Sequence, residues 1–170
     1  YSINSFGLAG TLAWDSEILD FESKLIGSFN LENLTLAASI AIELNISAQS
    51  IAKGIENCTN IDGRLHLVEN QKNQMIFLDY AHSPDAYFRT LKALEENFSR
   101  PLKVLFGAGG CRDKSKRPKM AEVVEKYSIE CYLAPDNPRF EDIELINNDV
   151  IKGFSNESHH IFNDRKEALI

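Results

Sequence analysis

From Arg64 onward the chain repeats one pattern: a short apolar run, a polar or glycine-rich loop, then a stretch with helical spacing. Met75-Ile76-Phe77-Leu78 leads into a helix ending near Phe98. A run over 103–106 leads into a helix over about 118–127, and one over 130–134 into a helix over about 141–154. A last run over 159–162 precedes a helix expected over 165–170, which Asn163 and Asp164 can cap. Strands that alternate with helices predict a parallel sheet, because each parallel pair needs a crossover of a dozen or more residues. The expected fold class is therefore α/β, a Rossmann-like domain with a mainly parallel sheet. The run 75–78 does not alternate, which predicts a strand buried on both faces. Ser83-Pro84-Asp85 supplies a cap, a proline at the first helical position and an acid in the first turn.

Residues before this repeat follow another grammar. Short apolar pieces with Gly and Ser over 1–26 read as strands and loops. A helix then opens at Gly27-Ser28-Phe29-Asn30 and runs through Asn45, with Leu31, Leu34, Ala38, Ala41 and Leu44 on one face. Ser47 can cap a short second helix that carries Ile51 and Ile55. A domain boundary is expected at the turn 60–63, dividing the chain into 1–62 and 63–170. The chain starts at Tyr1 and stops inside a helical pattern, so it reads as part of something longer.

A formal net charge of −7 argues against a nucleic-acid surface, which needs a positive excess. No apolar run approaches the roughly 20 residues that span a bilayer, so no membrane partner is expected. The cysteines Cys58, Cys111 and Cys131 are odd in number, widely spaced and free of any CxxC. A disulfide framework or zinc site is not expected, and a reducing cytoplasm is.

In open α/β sheets, ligands bind outside the carboxyl ends of the strands. Three segments fall at that edge: Asp79 to His82, Gly107 to Arg117, and Asp136-Asn137-Pro138-Arg139. Asp79 can accept hydrogen bonds from ribose hydroxyls or simply fix a turn. His82 can meet a nucleotide or be an ordinary loop residue. The glycines at 107, 109 and 110 allow close backbone approach, and Arg112, Lys114, Lys116 and Arg117 give a local positive field for an anion. This loop is neither GxxxxGK[ST] nor GxGxxG, since Arg112 stands where the third glycine would be. Asp136 and Asn137 can receive an ammonium while Arg139 pairs with a carboxylate, or the four residues can be no more than a turn. Elsewhere, Asn30 and Asn33 share one side of a first helical turn, where an amide can read an adenine edge or cap the helix. Arg64, beside Gly63, can reach a phosphate or lie on a surface.

Taken in order, Gly27-Ser28-Phe29-Asn30, Asn33, Gly63-Arg64, Asp79-Tyr80-Ala81-His82-Ser83-Pro84-Asp85, Gly107-Ala108-Gly109-Gly110-Cys111-Arg112-Asp113-Lys114, Lys116-Arg117-Pro118 and Asp136-Asn137-Pro138-Arg139 resemble the Mur ligases. The likeness is to their diaminopimelate-adding members and runs from about Leu25 to the end. It implies that 1–62 is the tail of a central ATP-binding domain and 63–170 the amino-acid-binding C-terminal domain. It implies ATP contacts at Asn30, Asn33, Arg64, Asp79 and His82. It further implies that Arg112, Asp136, Asn137 and Arg139 bind meso-diaminopimelate. Where diaminopimelate-adding members often show an acidic pair and a proline, the residues after Arg139 here are Phe140-Glu141-Asp142.

The implied reaction is amide ligation with ATP and Mg²⁺. ATP phosphorylates the γ-carboxylate of D-glutamate in the UDP-MurNAc-dipeptide, and the amine of diaminopimelate displaces the phosphate. The family's P-loop, carbamylated lysine and metal ligands are expected before residue 1, so these residues are expected to lack activity alone and to contribute no metal ligand. A monomer is expected. The alternatives are a lysine-adding or folylpolyglutamate-synthase-like ligase of the same superfamily, and a non-ligase domain that binds a nucleotide through Gly107 to Gly110.

Overall fold

A computed structural model describes residues 1–4, 7–15, 17–72 and 74–169, and the side chains of these apart from Ile3 and Asn4. The chain divides into two compact units, residues 1–80 with 96–98 and residues 81–95 with 99–170.

The first unit begins with an antiparallel meander of β1 (Ser2–Asn4), β2 (Gly7–Trp14) and β3 (Glu17–Ser23). Strand β3 alternates buried and exposed residues, with Leu19 and Phe21 turned inward. Two helices follow, α1 (Ser28–Glu43) and α2 (Ala48–Asn57). Leu8, Leu19, Phe21, Leu25, Leu34, Ala38, Ile51 and Ile55 form the core of this unit. Ser47 caps α2 as expected, its hydroxyl accepting from the Ser50 amide at 3.3 Å. Leu44 departs from the predicted face and is 68% exposed, because α1 ends at Glu43 and its backbone is no longer helical.

A hairpin completes the unit: β4 (His66–Val68) antiparallel to β5 (Ile76–Leu78). The prediction of a doubly buried β5 is wrong here. Ile76 is 41% and Leu78 55% exposed, and among the described residues β5 pairs with β4 alone. A non-alternating apolar run marks a strand that can be buried on both faces, but a two-stranded ribbon offers no layer to bury it.

The second unit carries the predicted parallel sheet, in the order β6 (Lys103–Phe106), β7 (Glu130–Leu133), β8 (His159–Ile161), with Phe106 beside Leu133 and Leu133 beside Ile161. The helices are α3 (Pro84–Phe98), whose last residues belong to the first unit, α4 (Lys116–Tyr127) and α5 (Ile143–Ile151). Phe106, Ala121, Val124, Cys131, Leu133 and Val150 are essentially sealed from solvent and make the core. Of the helix expected over 165–170, the structure has a single 3₁₀ turn over Glu167–Leu169; Ile170 lies outside the described residues. Among the described residues no helix is long and apolar enough to cross a membrane.

Candidate functional site

The loops that leave β6 and β7 lie side by side, since the two strands are adjacent and parallel. Their backbones interlock. The Gly110 amide donates to the Asn137 carbonyl at 2.8 Å. A Cβ at Gly110 would stand 1.9 Å from the Pro138 oxygen, and one at Gly107 would stand 2.1 Å from the Ala134 oxygen. The glycines are thus required by close approach of the two loops to each other, and not only to a ligand.

Arg139 sits at the centre of this junction. Its Nη1 donates to the Gly110 carbonyl at 2.7 Å, and its own amide donates to Asn137 Oδ1 at 3.2 Å. Its φ is +53°, a conformation that non-glycine residues rarely hold and that clusters at ligand sites. With Nη1 engaged, the Nε–Nη2 edge of the guanidinium fork remains for a carboxylate. A Cβ built on Gly109 would lie 3.0 Å from Arg139 Nη1 and 3.9 Å from Arg112 Cγ, so both arginines gather over the same glycine. Asp136 is half exposed, with Arg165 4.0 Å away. Arg112, Asn137 and Arg139 are exposed. The structure therefore brings Arg112, Asn137 and Arg139 together around Gly109, while the Asp136 carboxylate, on the same loop as Arg139, has Arg165 as its neighbour.

The local positive field needs correction. Arg117 is 1% exposed and does not face a ligand. It makes a bidentate pair with Glu141, Nη1 to Oε1 at 2.8 Å and Nη2 to Oε2 at 2.7 Å, and reaches Asp149 Oδ2 at 3.1 Å and the Gly109 carbonyl at 3.2 Å. Lys114 also pairs with Glu141, at 3.0 Å. Arg112 and Lys116 are left to supply the field, because burial of a guanidinium is tolerated only with carboxylates beside it. Glu141 additionally accepts from the Cys111 amide at 2.8 Å. Arg117, the Cys111 amide and Lys114 together hold the Glu141 carboxyl far below the usual carboxylate range. Helix α5 begins at Ile143 and not at 141, with Asp142 as its cap, accepting from the Glu144 amide at 2.7 Å. Sequence reasoning missed this role for Glu141. The available signal was an acid two residues after Arg139, facing a segment rich in Arg and Lys.

The predicted nucleotide residues fall into separate places. On α1, Asn30 is 1% exposed; its Nδ2 donates to the Ile26 carbonyl at 2.8 Å and its Oδ1 accepts from Asn33 Nδ2 at 3.1 Å. Neither asparagine is the N-cap, which is Gly27. Asn33 is exposed, so of the two only its amide has an outward side. At the hairpin, a turn over 61–64 closes on Gly63, whose φ is +68°, with the Arg64 amide bonded to the Ile61 carbonyl at 2.9 Å. The Arg64 guanidinium lies 5.7 Å from the Tyr80 ring centre. Asp79 Oδ2 accepts from the Leu65 amide at 2.9 Å, and the Tyr80 amide donates to the Gly63 carbonyl at 2.7 Å. Asp79 and Arg64 thus share one small assembly. His82 is exposed and belongs to the other unit. Among the described residues no group of three or more His, Cys, Asp or Glu side chains is arranged to hold a metal ion.

The model of the family "Mur ligase, glutamate ligase domain" matches residues 63–170. A UDP-N-acetylmuramoyl-L-alanyl-D-glutamate–2,6-diaminopimelate ligase of Bacillus cereus is 33% identical over 167 residues, 98% of this chain and 34% of that protein. The enzyme of the same name from Geobacillus kaustophilus is 38% identical over 150 residues, 87% of this chain and 31% of that protein. The chain spans about a third of the length of these curated relatives. Among solved structures, one of a ligase of that name is 32% identical with a TM-score of 0.63, covering 98% of this chain and 34% of that chain. Folylpolyglutamate synthase from Thermotoga maritima shares the fold at 21% identity and a TM-score of 0.76, covering 99% of this chain and 39% of that chain. A match over residues 63–170, most of the chain, makes it a member of the Mur ligase family.

Proposed function

We propose that the whole protein adds meso-diaminopimelate to UDP-MurNAc-L-Ala-D-Glu with ATP, and that these residues supply the amino-acid grip and part of the nucleotide site. In this reading residues 63–170 are the amino-acid-binding domain and 1–62 the end of the ATP-binding domain. The observation that carries it is the Arg139 guanidinium, fixed by Nη1 to the Gly110 carbonyl and set over Gly109 with Arg112. Two guanidinium groups over one glycine suit a substrate with two carboxylates. Asp136, half exposed on the same loop as Arg139, suits its ammonium group. The identities above 30% with ligases of that name, over nearly all of this chain, support the same reading.

Each residue has a defined task here. Arg139 pairs with the distal carboxylate, which lysine lacks, and Arg112 with the other. Asp136 and the Asn137 side chain receive ammonium. Holding the amine in place against the activated γ-carboxylate supplies the entropic part of the acceleration. Asn33, oriented by Asn30, reads adenine; Asp79 accepts from ribose; Arg64 reaches the nucleotide phosphates, and His82 is a further candidate contact of the nucleotide. Mg²⁺ neutralises phosphate charge when bound, and its ligands are assigned outside these residues. The protein works in the cytoplasm, as a monomer.

The test is ligation by the full-length protein with meso-diaminopimelate, L-lysine and L-glutamate as competing acceptors. Preference for diaminopimelate by about a hundredfold in kcat/KM is expected. Equal or better use of lysine or glutamate would overturn the substrate assignment.

A further inference from the structure

Arg112 and Arg139 are exposed and sit on turns, so something must fix where they stand. The structure has one connection that reaches every segment involved. The Glu141 carboxylate, itself on the loop after β7, accepts from the Cys111 amide in the loop after β6 at 2.8 Å. Cys111 has a φ of +53°, the same left-handed conformation as Arg139, and is the residue immediately before Arg112. The same carboxylate takes both terminal nitrogens of buried Arg117, at 2.8 and 2.7 Å. Arg117 in turn holds the Gly109 carbonyl at 3.2 Å and Asp149 on α5 at 3.1 Å. A planar guanidinium on two carboxylates fixes direction as well as distance. Lysine in its place would supply a point charge without that geometry.

We propose that Arg117 and Glu141 are positioning residues for the amino-acid site: the pair locks the Gly109–Arg112 turn against the Pro138–Arg139 turn and so sets the spacing of the two guanidinium groups that grip the substrate. The proposal rests on the reading of this site as an amino-acid grip. It assigns neither residue a contact with substrate. Its physical basis is that a site held by locked neighbours loses affinity when those neighbours loosen, even with every contacting side chain still present. The nucleotide contacts lie on other segments, so the effect belongs to the amino acid and not to ATP.

The experiment uses the full-length protein and Glu141→Gln, which keeps one oxygen acceptor but removes the charge and half of the bidentate geometry. Kinetics are read well below the melting midpoint of the variant. The expected result is a rise of about tenfold in KM for the amino acid, with KM for ATP within about twofold of the parent. Amide hydrogen exchange over 107–115 should speed up at the same time. Glu141→Asp, which restores the charge, should recover part of both effects. Equal changes in KM for ATP and for the amino acid, or unchanged exchange over 107–115, would overturn the proposal. Should the parent ligate an amino acid other than diaminopimelate, the substrate reading fails while KM for that acceptor and the exchange rates still decide this one.

Discussion

The Asp79 carboxylate accepts a hydrogen bond from the amide of Leu65, at 2.9 Å across 14 residues, and Leu65 is buried with a φ of +45°. Leu65 directly follows Arg64, so one oxygen of Asp79 fixes the strand entry that carries the arginine. The same carboxylate is the candidate ribose acceptor. These two tasks separate under mutation. Asp79→Ala leaves the Leu65 amide without this acceptor and should cost about 1–2 kcal/mol by urea unfolding. Asp79→Asn retains an acceptor for Leu65 but presents a donor where the ribose hydroxyl needs an acceptor. It should therefore keep most of the stability and still raise KM for ATP in the full-length protein. An Asn variant with parental KM for ATP would remove Asp79 from the nucleotide site.

Arg139 offers a second separation. Arg139→Ala removes the guanidinium and should cut the preference for diaminopimelate over lysine by about a hundredfold, through loss of diaminopimelate use. Arg139→Gly removes the same group and also relieves the left-handed backbone, whose φ is +53°. The Gly variant should thus melt at a higher temperature than the Ala variant, corresponding to about 1 kcal/mol, with the same selectivity. Competition assays and thermal melts on both variants check the pair.

Gly110 is required for packing. Ala at this position meets the Pro138 oxygen at 1.9 Å, and that oxygen belongs to backbone that also bonds the Glu141 amide at 3.0 Å. No flexible side chain can move aside. Gly110→Ala should destabilise the fold by about 2–3 kcal/mol. Gly54, whose added Cβ would meet nothing within 4 Å, is the control, and Gly54→Ala on α2 should be neutral or stabilising by about 1 kcal/mol. Chemical denaturation of the two variants side by side makes the comparison.

The parallel sheet β6-β7-β8 and its helices were legible because apolar runs and helical spacing are local signals that alternate at the pitch a crossover needs. The meeting of Arg112 with Asn137 and Arg139 followed from the rule that loops at carboxyl ends of adjacent strands meet. Two things were not legible. The surroundings of Ile76 and Leu78 depend on which layer covers them, and a run of apolar residues states a capacity for burial without naming the cover. The fate of Arg117 depends on a partner 24 residues away. In the sequence it is one cation among four, all in a loop that reads as electropositive. Only the fold decides that one turns inward to Glu141 and Asp149 while another, Arg112, stays outside.

The Glu141 carboxyl yields a pH prediction with a definite sign. Arg117, the Cys111 amide and Lys114 hold it well below the ordinary carboxylate value, so its pKa is lower folded than unfolded. Above about pH 4.3, the ordinary glutamate value, both states carry the charge and the folded state has the whole benefit. As pH falls below that value the unfolded chain takes up a proton that the folded protein refuses, and the benefit shrinks until the folded pKa is passed. Asp149, lowered by Lys152 and Arg117, adds in the same direction. Urea unfolding from pH 7 to pH 3 should therefore show stability falling toward acid, with a shallower fall in Glu141→Gln than in the parent, whereas between pH 6 and 8 the two curves should run parallel. Arg117→Met tests the other end of the same bond: it strands Glu141 and Asp149 without their shared guanidinium and should cost about 3 kcal/mol or more at pH 7. That cost should be smaller in acid, where the stranded carboxylates can protonate. A pH-independent difference between Arg117→Met and the parent would mean that the guanidinium acts there through its packing and not through its charge.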